Sequence, residues 1–345
     1  MKKHAAIIWM TVLLLSQPGL VRAKADEPVE VKEARQIEGT NDTLYPPVKE
    51  EQQIDKAHAA ACRAVGEAAQ WLDSFFDDDN FVEEENRSQV RVSMTTEYTH
   101  FEDFDFRPRV HVRLKLPEAE ERAKLIFSYS DDEEFKLDDD PLSPAQAVRT
   151  RLDREEMNAS LRWFVSESLR ENISVSGGIS LNYLYTGLRY RAYYDYGSWQ
   201  GRLVEQFRYY TDDGFENNLH YDIERGISKY WFFRTSVVLN WFEETNGLPH
   251  VLAFSLDQVL AEDKAVRYEW INAFETSPSY RMEDLKLRAR YRQRFYRDWL
   301  ILEIAPEVSF PYEHNREFNP GIVIKLEADF SPTPSFAESN RVFQF

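Results

Sequence analysis

From Ser88 onward the sequence alternates between apolar and polar residues with a period of two, and this alternation limits its possible folds more than any other feature. Fourteen segments, from QVRVSMTTEYT to GIVIKLEADF, carry the pattern, and most are 8 to 12 residues long. Successive side chains of a β-strand point to opposite faces, so each segment predicts a strand with one apolar and one polar face. We therefore expect an all-β protein over most of the chain.

The segment LKLRARYRQRF, residues 285–295, shows the alternation in its extreme form, because all but one of its polar positions are basic. Acids occupy the polar faces of both neighbouring predicted strands. Opposite charges that face one another on adjacent strands stabilise a sheet, so these side chains predict a charge ladder across a confined interior. The predicted ladder consists of Lys286, Arg288, Arg290, Arg292, Arg294, Glu269, Glu275, Glu303 and Glu307.

The amino terminus predicts export from the cytoplasm. Two lysines precede an apolar run at 5–15, and the small-residue site VRA follows at 21–23. This order is typical of a cleaved signal peptide, here residues 1–23. No later segment has the roughly 18 consecutive apolar residues of a transmembrane helix. Cys62 is the only cysteine, so neither an intrachain disulfide nor a cysteine-based metal site is expected.

Composition narrows the functional classes. Aromatic residues make up 14% of the chain, which is far too many for a disordered protein. Without the signal peptide, 39 basic residues stand against 60 acidic ones, a net charge near −21. Nucleic acid is therefore not an expected partner.

Four further regions follow the signal peptide. Residues 24–53 are acidic and polar without a sustained period, which predicts a disordered linker. Residues 54–80 are alanine-rich with one apolar stripe, which predicts a helix in the periplasm or inside a barrel as a plug. Residues 88–330 carry the strands, and residues 331–345 form a tail.

Alternation alone does not separate a membrane barrel from a soluble sandwich, since both folds alternate. The composition of the polar faces does so better, because a basic strand beside acidic ones suits pairing across a confined interior. The predicted strands match the roughly 9 to 11 residues that a tilted strand needs to cross a bilayer. Tyrosine and tryptophan cluster near strand ends, including Tyr183, Tyr185, Tyr210 and Trp299, where membrane interfaces are expected. Four polar residues oppose this register because they fall on the predicted lipid face. They are Glu205, Gln258, Asn272 and Gln293.

The segment GIVIKLEADF, with its early glycine, alternating apolar residues and closing Phe330, resembles the terminal strand of bacterial outer-membrane β-barrel proteins. The resemblance covers residues 88–330, is porin-like and identifies no subfamily. It implies a transmembrane antiparallel up-and-down barrel. The segments counted above give this barrel about fourteen strands, or alternatively twelve, and the helix predicted at 54–80 precedes it. The resemblance also implies a location in the cell outer membrane, lipid around the wall, and recognition of the terminal strand by the barrel-assembly machinery. The family usually ends at this aromatic residue, so VFQF at the end of the tail is an alternative closing segment.

The predicted inner face carries eighteen basic residues against ten acids, although the whole chain is acidic. Fixed positive charge in a narrow space attracts anions. The favoured function is therefore passage or binding of small hydrophilic solutes, anionic ones among them, without a cofactor. The predicted anion-contact residues lie on the second strand. They are Arg107, Arg109, His111, Arg113 and Lys115.

Two other functions stay open. The first is a closed structural or interaction barrel that binds a periplasmic envelope or export machine through residues 24–53. Small inward residues, Ser174 and Gly178 among them, would leave room for a plug. The second is a hydrolase at the outer rim with His220 and Asp222 as catalytic residues, although a structural His/Asp pair is the preferred interpretation. No HExxH or EF-hand pattern occurs, so no metal site is predicted.

Overall fold

The protein forms one closed β-barrel. The structure, a computed structural model, describes residues 75–76, 89–115, 123–130, 156–168, 170–180, 182–243, 247–297 and 299–330. The predicted signal peptide, linker and tail lie outside these residues, as does the predicted helix apart from Phe75 and Phe76, which have helical backbone conformation. No helix in the described part of the chain is long and apolar enough to span a membrane.

The fourteen strands alternate direction along the chain. Their bounds are β1 (Gln89–Thr99), β2 (Asp105–Lys115), β3 (Ala123–Ser130), β4 (Glu156–Glu167), β5 (Glu171–Ile179), β6 (Leu184–Asp195), β7 (Gln200–Tyr210), β8 (Gly214–Ser228), β9 (Trp231–Phe242), β10 (His250–Ala261), β11 (Lys264–Glu275), β12 (Arg281–Arg294), β13 (Leu300–Ser309) and β14 (Asn319–Asp329). A short 3₁₀ turn, Tyr312–His314, lies between β13 and β14.

Each strand pairs antiparallel with the next strand in sequence, and β1 pairs with β14 to close the ring. The closing register runs from Arg91 opposite Asp329 to Thr99 opposite Gly321. Closure satisfies the backbone hydrogen bonds that an open sheet would expose at its edges. The predicted all-β, fourteen-stranded barrel is confirmed, and β14, which contains GIVIKLEAD, pairs with β1. The alternative closing segment VFQF lies outside the described residues.

The outer wall of the barrel is apolar. Large apolar side chains alternate with inward-facing ones along nearly every strand, so they stay exposed although the sheet is closed. Trp270, for example, is 50% exposed at the middle of β11. Further members of this surface are Met94, Val110, Leu114, Leu161, Val165, Val175, Leu188, Leu287, Ile322, Ile324 and Leu326. So much exposed apolar area around a whole ring requires an apolar solvent.

Most of the polar exceptions on the outer wall have hydrogen-bond partners within the wall. The indole Nε1 of Trp270 donates to Asn272 Oδ1 at 3.0 Å, and Asn272 Nδ2 donates to the Leu252 carbonyl at 3.1 Å. The Tyr291 hydroxyl donates to Gln293 Oε1 at 2.6 Å. Because an unpaired polar group is costly in hydrocarbon, these bonds explain why the apolar face tolerates Asn272 and Gln293.

Trp299 lies at a rim, as predicted, whereas three tyrosines predicted at the membrane interface point inward. Trp299 stacks on Phe330 at 5.5 Å between ring centroids at the rim where β1 begins. The rings of Tyr183, Tyr185 and Tyr210, however, are buried inside the barrel and pack together. Placing these three in the membrane interface was wrong. Tyr185 and Tyr210 face each other across β6 and β7 on the inward side of the pleat.

The connections differ between the two ends of the barrel. At the end where β1 begins, β8 joins β9 through residues 229–230, and β10 joins β11 through residues 262–263. At the opposite end the connections include residues 243–249 and 310–318. Short turns at one rim and longer loops at the other are the usual arrangement of outer-membrane barrels, with the short turns in the periplasm.

Candidate functional site

The inner wall of the barrel is strongly charged. Its ionisable side chains alternate with the outer apolar ones, and most are less than a tenth exposed. The buried members are Arg91, Arg113, Arg162, Arg189, Arg191, Arg202, Arg208, Glu216, Asp222, Glu224, Arg234, Asp257, Arg267, Glu269, Arg288, Arg290, Arg292, Glu303, Glu307, Lys325 and Glu327. A buried charge needs a partner, so the ion pairs describe this wall best.

The predicted charge ladder assembles on β11, β12 and β13 because the register sets Glu269 opposite Arg288 and Arg292 opposite Glu303. Arg288 Nε lies 2.7 Å from Glu269 Oε2. Arg290 Nε lies 2.6 Å from Glu303 Oε1, and Arg292 Nη1 lies 2.8 Å from Glu303 Oε2. One carboxylate therefore binds two consecutive arginines of the ladder.

The ladder continues across the closing strands. Arg292 Nη2 lies 2.8 Å from Glu327 Oε1 on β14. Glu327 also lies 3.6 Å from Arg91 Nε on β1 and 3.3 Å from Lys325 Nζ. Ion pairs thus connect β12 to β1 through β14, a connection that links residues more than 200 positions apart in sequence.

Two predicted members of the ladder have other contacts. Glu275 lies at the end of β11, where its Oε1 accepts hydrogen bonds from the backbone N–H groups of Thr276 at 2.8 Å and Ser277 at 3.2 Å. It therefore stabilises the β11–β12 turn. Arg294 lies with its guanidinium carbon 5.7 Å from the centre of the Phe75 ring. Lys286, by contrast, pairs with another member of the ladder, Glu307, at 3.0 Å.

Phe75 and Phe76, which precede the first strand, lie against the ladder. Their side chains are 2% and 1% exposed. The guanidinium carbons of Arg267 and Arg290 lie 4.4 Å and 5.3 Å from the centre of the Phe76 ring. Sequence reasoning placed Phe76 on the apolar stripe of a helix and assigned neither ring this position. An adjacent pair of phenylalanines directly before Asp77-Asp78-Asp79 was the available signal.

The predicted anion-contact residues line up along β2. Arg107 is engaged by acids, with Nη1 3.3 Å from Glu97 and Nη2 2.5 Å from Asp105. Arg109, His111 and Arg113 follow at alternate positions, and Arg113 is 3% exposed. Lys115 ends β2 opposite Lys124 in the backbone register, and its side chain lies outside the described part of the structure.

The inner faces of β4 and β6 extend this basic surface. Arg162, Arg189 and Arg191 are each less than a tenth exposed. Ser160, Ser174 and Ser176 lie between them. We name this surface the basic arc. It consists of Arg109, His111, Arg113, Arg162, Arg189 and Arg191.

His220 and Asp222 form a pair inside the wall of β8. His220 Nε2 lies 2.9 Å from Asp222 Oδ1, and Arg202 Nη2 donates to Asp222 Oδ2 at 3.2 Å. Both residues lie at the middle of β8, 5% and 0% exposed, so the predicted position at the outer rim was wrong. Arg202 also binds Glu224 at 3.0 Å, and Glu224 binds Arg234 at 3.1 Å. The pair is thus part of a cross-strand ion network over β7, β8 and β9.

A tyrosine cluster fills the space that the small residues of β5 leave. Its members are the three inward tyrosines already named, and the Tyr210 hydroxyl donates to Glu216 Oε2 at 3.0 Å. A Cβ atom at Gly178 would overlap the Tyr185 ring. The predicted room beside Ser174 and Gly178 therefore holds Tyr185. Sequence reasoning missed this cluster and Glu216, although the glycine on the polar face of β5 marked a close approach.

These observations define the class of the protein. A closed barrel removes every sheet edge, an apolar outer wall suits hydrocarbon, and charges fill the inner wall. Because only helices and closed barrels satisfy their backbone groups within lipid, this arrangement is that of an outer-membrane β-barrel protein. The sequence-based prediction of this class is confirmed. Within the described residues, no cluster of three or more His, Cys, Asp or Glu is arranged to hold a metal ion.

No protein-family model and no curated protein matches the sequence. Among solved structures, the chain is similar to the anion-selective porin from Comamonas acidovorans, with 7% identity, 70% of this chain and 98% of that chain covered, and a TM-score of 0.44. OccK10 of Pseudomonas aeruginosa matches with 6% identity, 72% and 99% coverage, and a TM-score of 0.43. The outer membrane channel DcaP of Acinetobacter baumannii matches with 6% identity, 70% and 96% coverage, and a TM-score of 0.41. Similarities this low carry no argument about function.

Proposed function

We propose that the protein is an outer-membrane channel for small hydrophilic solutes, with a preference for anions. The observation that carries the proposal is the inversion of polarity across the wall, apolar outside and charged inside. Fourteen strands enclose a wider bore than the roughly eight strands whose interior side chains alone can fill. A polar bore of this width is suited to water and hydrated solutes.

The preference for anions rests on the basic arc. Five of its six side chains are guanidinium groups, which stay charged at every physiological pH. Acids on β8, β10, β11, β13 and β14 form ion pairs with arginines of the inner wall. The basic arc adds six further basic side chains to the bore, on β2, β4 and β6. Positive charge on one side of a water-filled bore with low-dielectric walls raises the local concentration of anions.

Reconstitution in planar bilayers tests the proposal. The purified protein should give stepwise conductance that favours chloride over potassium. Arg109→Glu with Arg113→Glu should weaken or reverse this preference, because the two changes invert charge inside the bore. Lys229→Glu is the matched control, since this lysine lies in the β8–β9 turn outside the bore. Absence of conductance from the wild type and from any bore variant would contradict the proposal.

A second function has one observation in its favour. Many inner charges are nearly inaccessible, including Asp222, Arg292 and Glu303 at 0–1% exposure, which suits a closed barrel as well as a blocked channel. Such a barrel would be an interaction protein whose acidic residues 24–53 bind a periplasmic envelope or export machine. Photo-crosslinking from that segment in intact cells should then capture a defined partner, and the purified barrel should never conduct.

Two further partners belong to this proposal. Lipid would surround the apolar outer wall. The barrel-assembly machinery would recognise β14, whose alternating apolar residues end at Phe330.

A further inference from the structure

Phe75 and Phe76 are enclosed although they belong to no strand of the wall. Their rings meet edge to face, with 5.7 Å between centroids and planes at 90°. Both side chains are at least 98% buried. Because these two residues contact inward-facing arginines, they occupy the bore of the barrel.

Four arginines surround the two rings. Besides the contacts of Arg267 and Arg290 with Phe76, the guanidinium carbons of Arg292 and Arg294 lie 6.0 Å and 5.7 Å from the centre of the Phe75 ring. Arg290 Nη2 also donates a hydrogen bond to the Phe76 carbonyl oxygen at 3.2 Å. We name this group of four arginines the arginine seat.

Ion pairs of the ladder, and one outside it, hold the seat in position. Arg267 binds Asp257, with 2.5 Å between Nε and Oδ1, and Glu303 binds both Arg290 and Arg292. Carboxylates bind the edge of the planar guanidinium group, which leaves its face available for stacking on an aromatic ring. The acids therefore orient the cations that contact the two rings.

The chain can place these residues there without crossing the barrel. Arg290, Arg292 and Arg294 lie in the last five residues of β12, and Arg267 lies in the first four residues of β11. Both positions are at the end where β1 begins. Thirteen peptide links separate Phe76 from Gln89, and such a segment spans up to roughly 45 Å when extended.

We propose that Phe75-Phe76 is an internal ligand of the arginine seat, a binding site for aromatic rings, and that its occupation closes the periplasmic half of the bore. The seat as a binding site does not depend on the proposed channel function. The closing of a conducting path does rest on that proposed function. A guanidinium over an aromatic face is attracted by the ring quadrupole, most strongly where water is excluded. An aliphatic side chain of similar size fills the same space without this attraction.

Photo-crosslinking tests the seat without any measurement of conductance. The photoreactive residue p-benzoylphenylalanine replaces Phe76 in the full-length protein folded in lipid vesicles. Irradiation should join this position to peptides from β11 and β12, identified by mass spectrometry. The control carries the same group at Tyr196, an exposed residue of the β6–β7 turn that contacts Tyr194 and Tyr221, and should give no products with β11 or β12. Products from Phe76 that exclude β11 and β12 would overturn the proposal.

Conductance tests the closing of the bore. The variant Phe75→Leu/Phe76→Leu keeps apolar volume but removes both rings, so its open probability should rise on the order of tenfold. Added N-acetyl-Phe-Phe-amide should block the opened variant, and N-acetyl-Leu-Leu-amide should not. The conservative variant Phe75→Tyr/Phe76→Tyr should stay closed, because the aromatic faces are retained.

The possible results separate the two proposals. Crosslinks in the seat with no conductance from any variant would support the aromatic site and contradict the channel function. A wild type that conducts as well as the leucine variant, with no block by the dipeptide, would overturn the internal ligand and leave the channel function intact.

Discussion

Glu303 accepts a hydrogen bond from Arg292 Nη1 at 2.8 Å, and both side chains are 1% exposed. The same carboxylate binds Arg290 at 2.6 Å through its other oxygen. Two guanidinium groups are therefore neutralised in part by one acid on the neighbouring strand. Because buried charges are far costlier alone than in pairs, this carboxylate determines whether the ladder can exist inside the barrel.

Removal of this carboxylate is expected to destabilise the barrel. Glu303→Gln leaves Arg290 and Arg292 without their shared charge partner, and the loss of one member of a buried pair costs about 3 to 5 kcal/mol. The free energy of unfolding in lipid vesicles, measured by urea titration of tryptophan fluorescence, provides the test. Glu283→Gln is the matched control, because its partner Arg281 lies on an exposed part of β12 and little change is expected. Equal stability of Glu303→Gln and the wild type would contradict the structural role of the ladder.

Gly178 is expected to tolerate no larger side chain. An added methyl group would overlap the Tyr185 ring, which is held in the buried tyrosine cluster, so Gly178→Ala should cost about 1 to 3 kcal/mol. Gly177→Ala is the control, since the nearest atom to its Cβ position is a backbone oxygen at 3.9 Å. Urea titration of both variants compares them directly. A destabilised Gly177→Ala beside an unchanged Gly178→Ala would show that the inner and outer faces of β5 are reversed.

A positive charge on the outer wall should oppose membrane insertion. Ile324 lies at the middle of β14 and is 41% exposed on the apolar face, so Ile324→Arg should destabilise the folded protein by about 2 to 4 kcal/mol. Tyr230→Arg, in the β8–β9 turn, should change stability by about 1 kcal/mol or less because the turn lies at the interface. The folded fraction in vesicles, measured by the heat-dependent shift in gel mobility, distinguishes them. Normal folding of Ile324→Arg would mean that lipid does not surround this face.

Truncation after Phe330 should leave the barrel closed. Among the described residues, the last backbone contact of the closing strands is the hydrogen bond from Phe330 N to the Val90 carbonyl at 2.8 Å. A chain that ends at Phe330 keeps all of β14, whereas one that ends at Leu326 loses Glu327 and its ion pairs with Arg91 and Arg292. Only the longer chain should fold in vesicles and keep heat-dependent mobility. Failure of the chain that ends at Phe330 would assign closure to the tail.

The sequence predicted the barrel because strand alternation is local. Each residue's face depends only on its parity within a strand, and the basic positions of LKLRARYRQRF fall on the inner face for that reason. The acids of adjacent strands were also predictable, since consecutive strands pair in an up-and-down barrel. Parity within each strand and the order of strands in the chain were therefore sufficient to predict which side chains form the inner wall of β12 and its neighbours.

Residue type gave a wrong prediction where aromatic residues occur on both faces. Tyr185 and Tyr210 were expected at the membrane interface because tyrosine is common there, yet both rings lie inside. Residue type alone carries no direction, and the glycine opposite Tyr185 gains meaning only when β5 and β6 are aligned. The distance of His220 from the rim was also beyond residue type, because the position of a residue along the barrel depends on the stagger between neighbouring strands.

By itself, then, the sequence determined fourteen alternating segments, each with an apolar face and a charged or polar one. Only the tertiary structure decided that Glu327 meets Arg292 and Arg91 across the closing strands, and that Phe75 and Phe76 lie on the arginine seat. The physical reason is the separation in sequence between the residues that interact. A strand's faces follow from steric rules between adjacent residues, whereas contacts between distant segments depend on how the whole ring closes and on what its bore encloses.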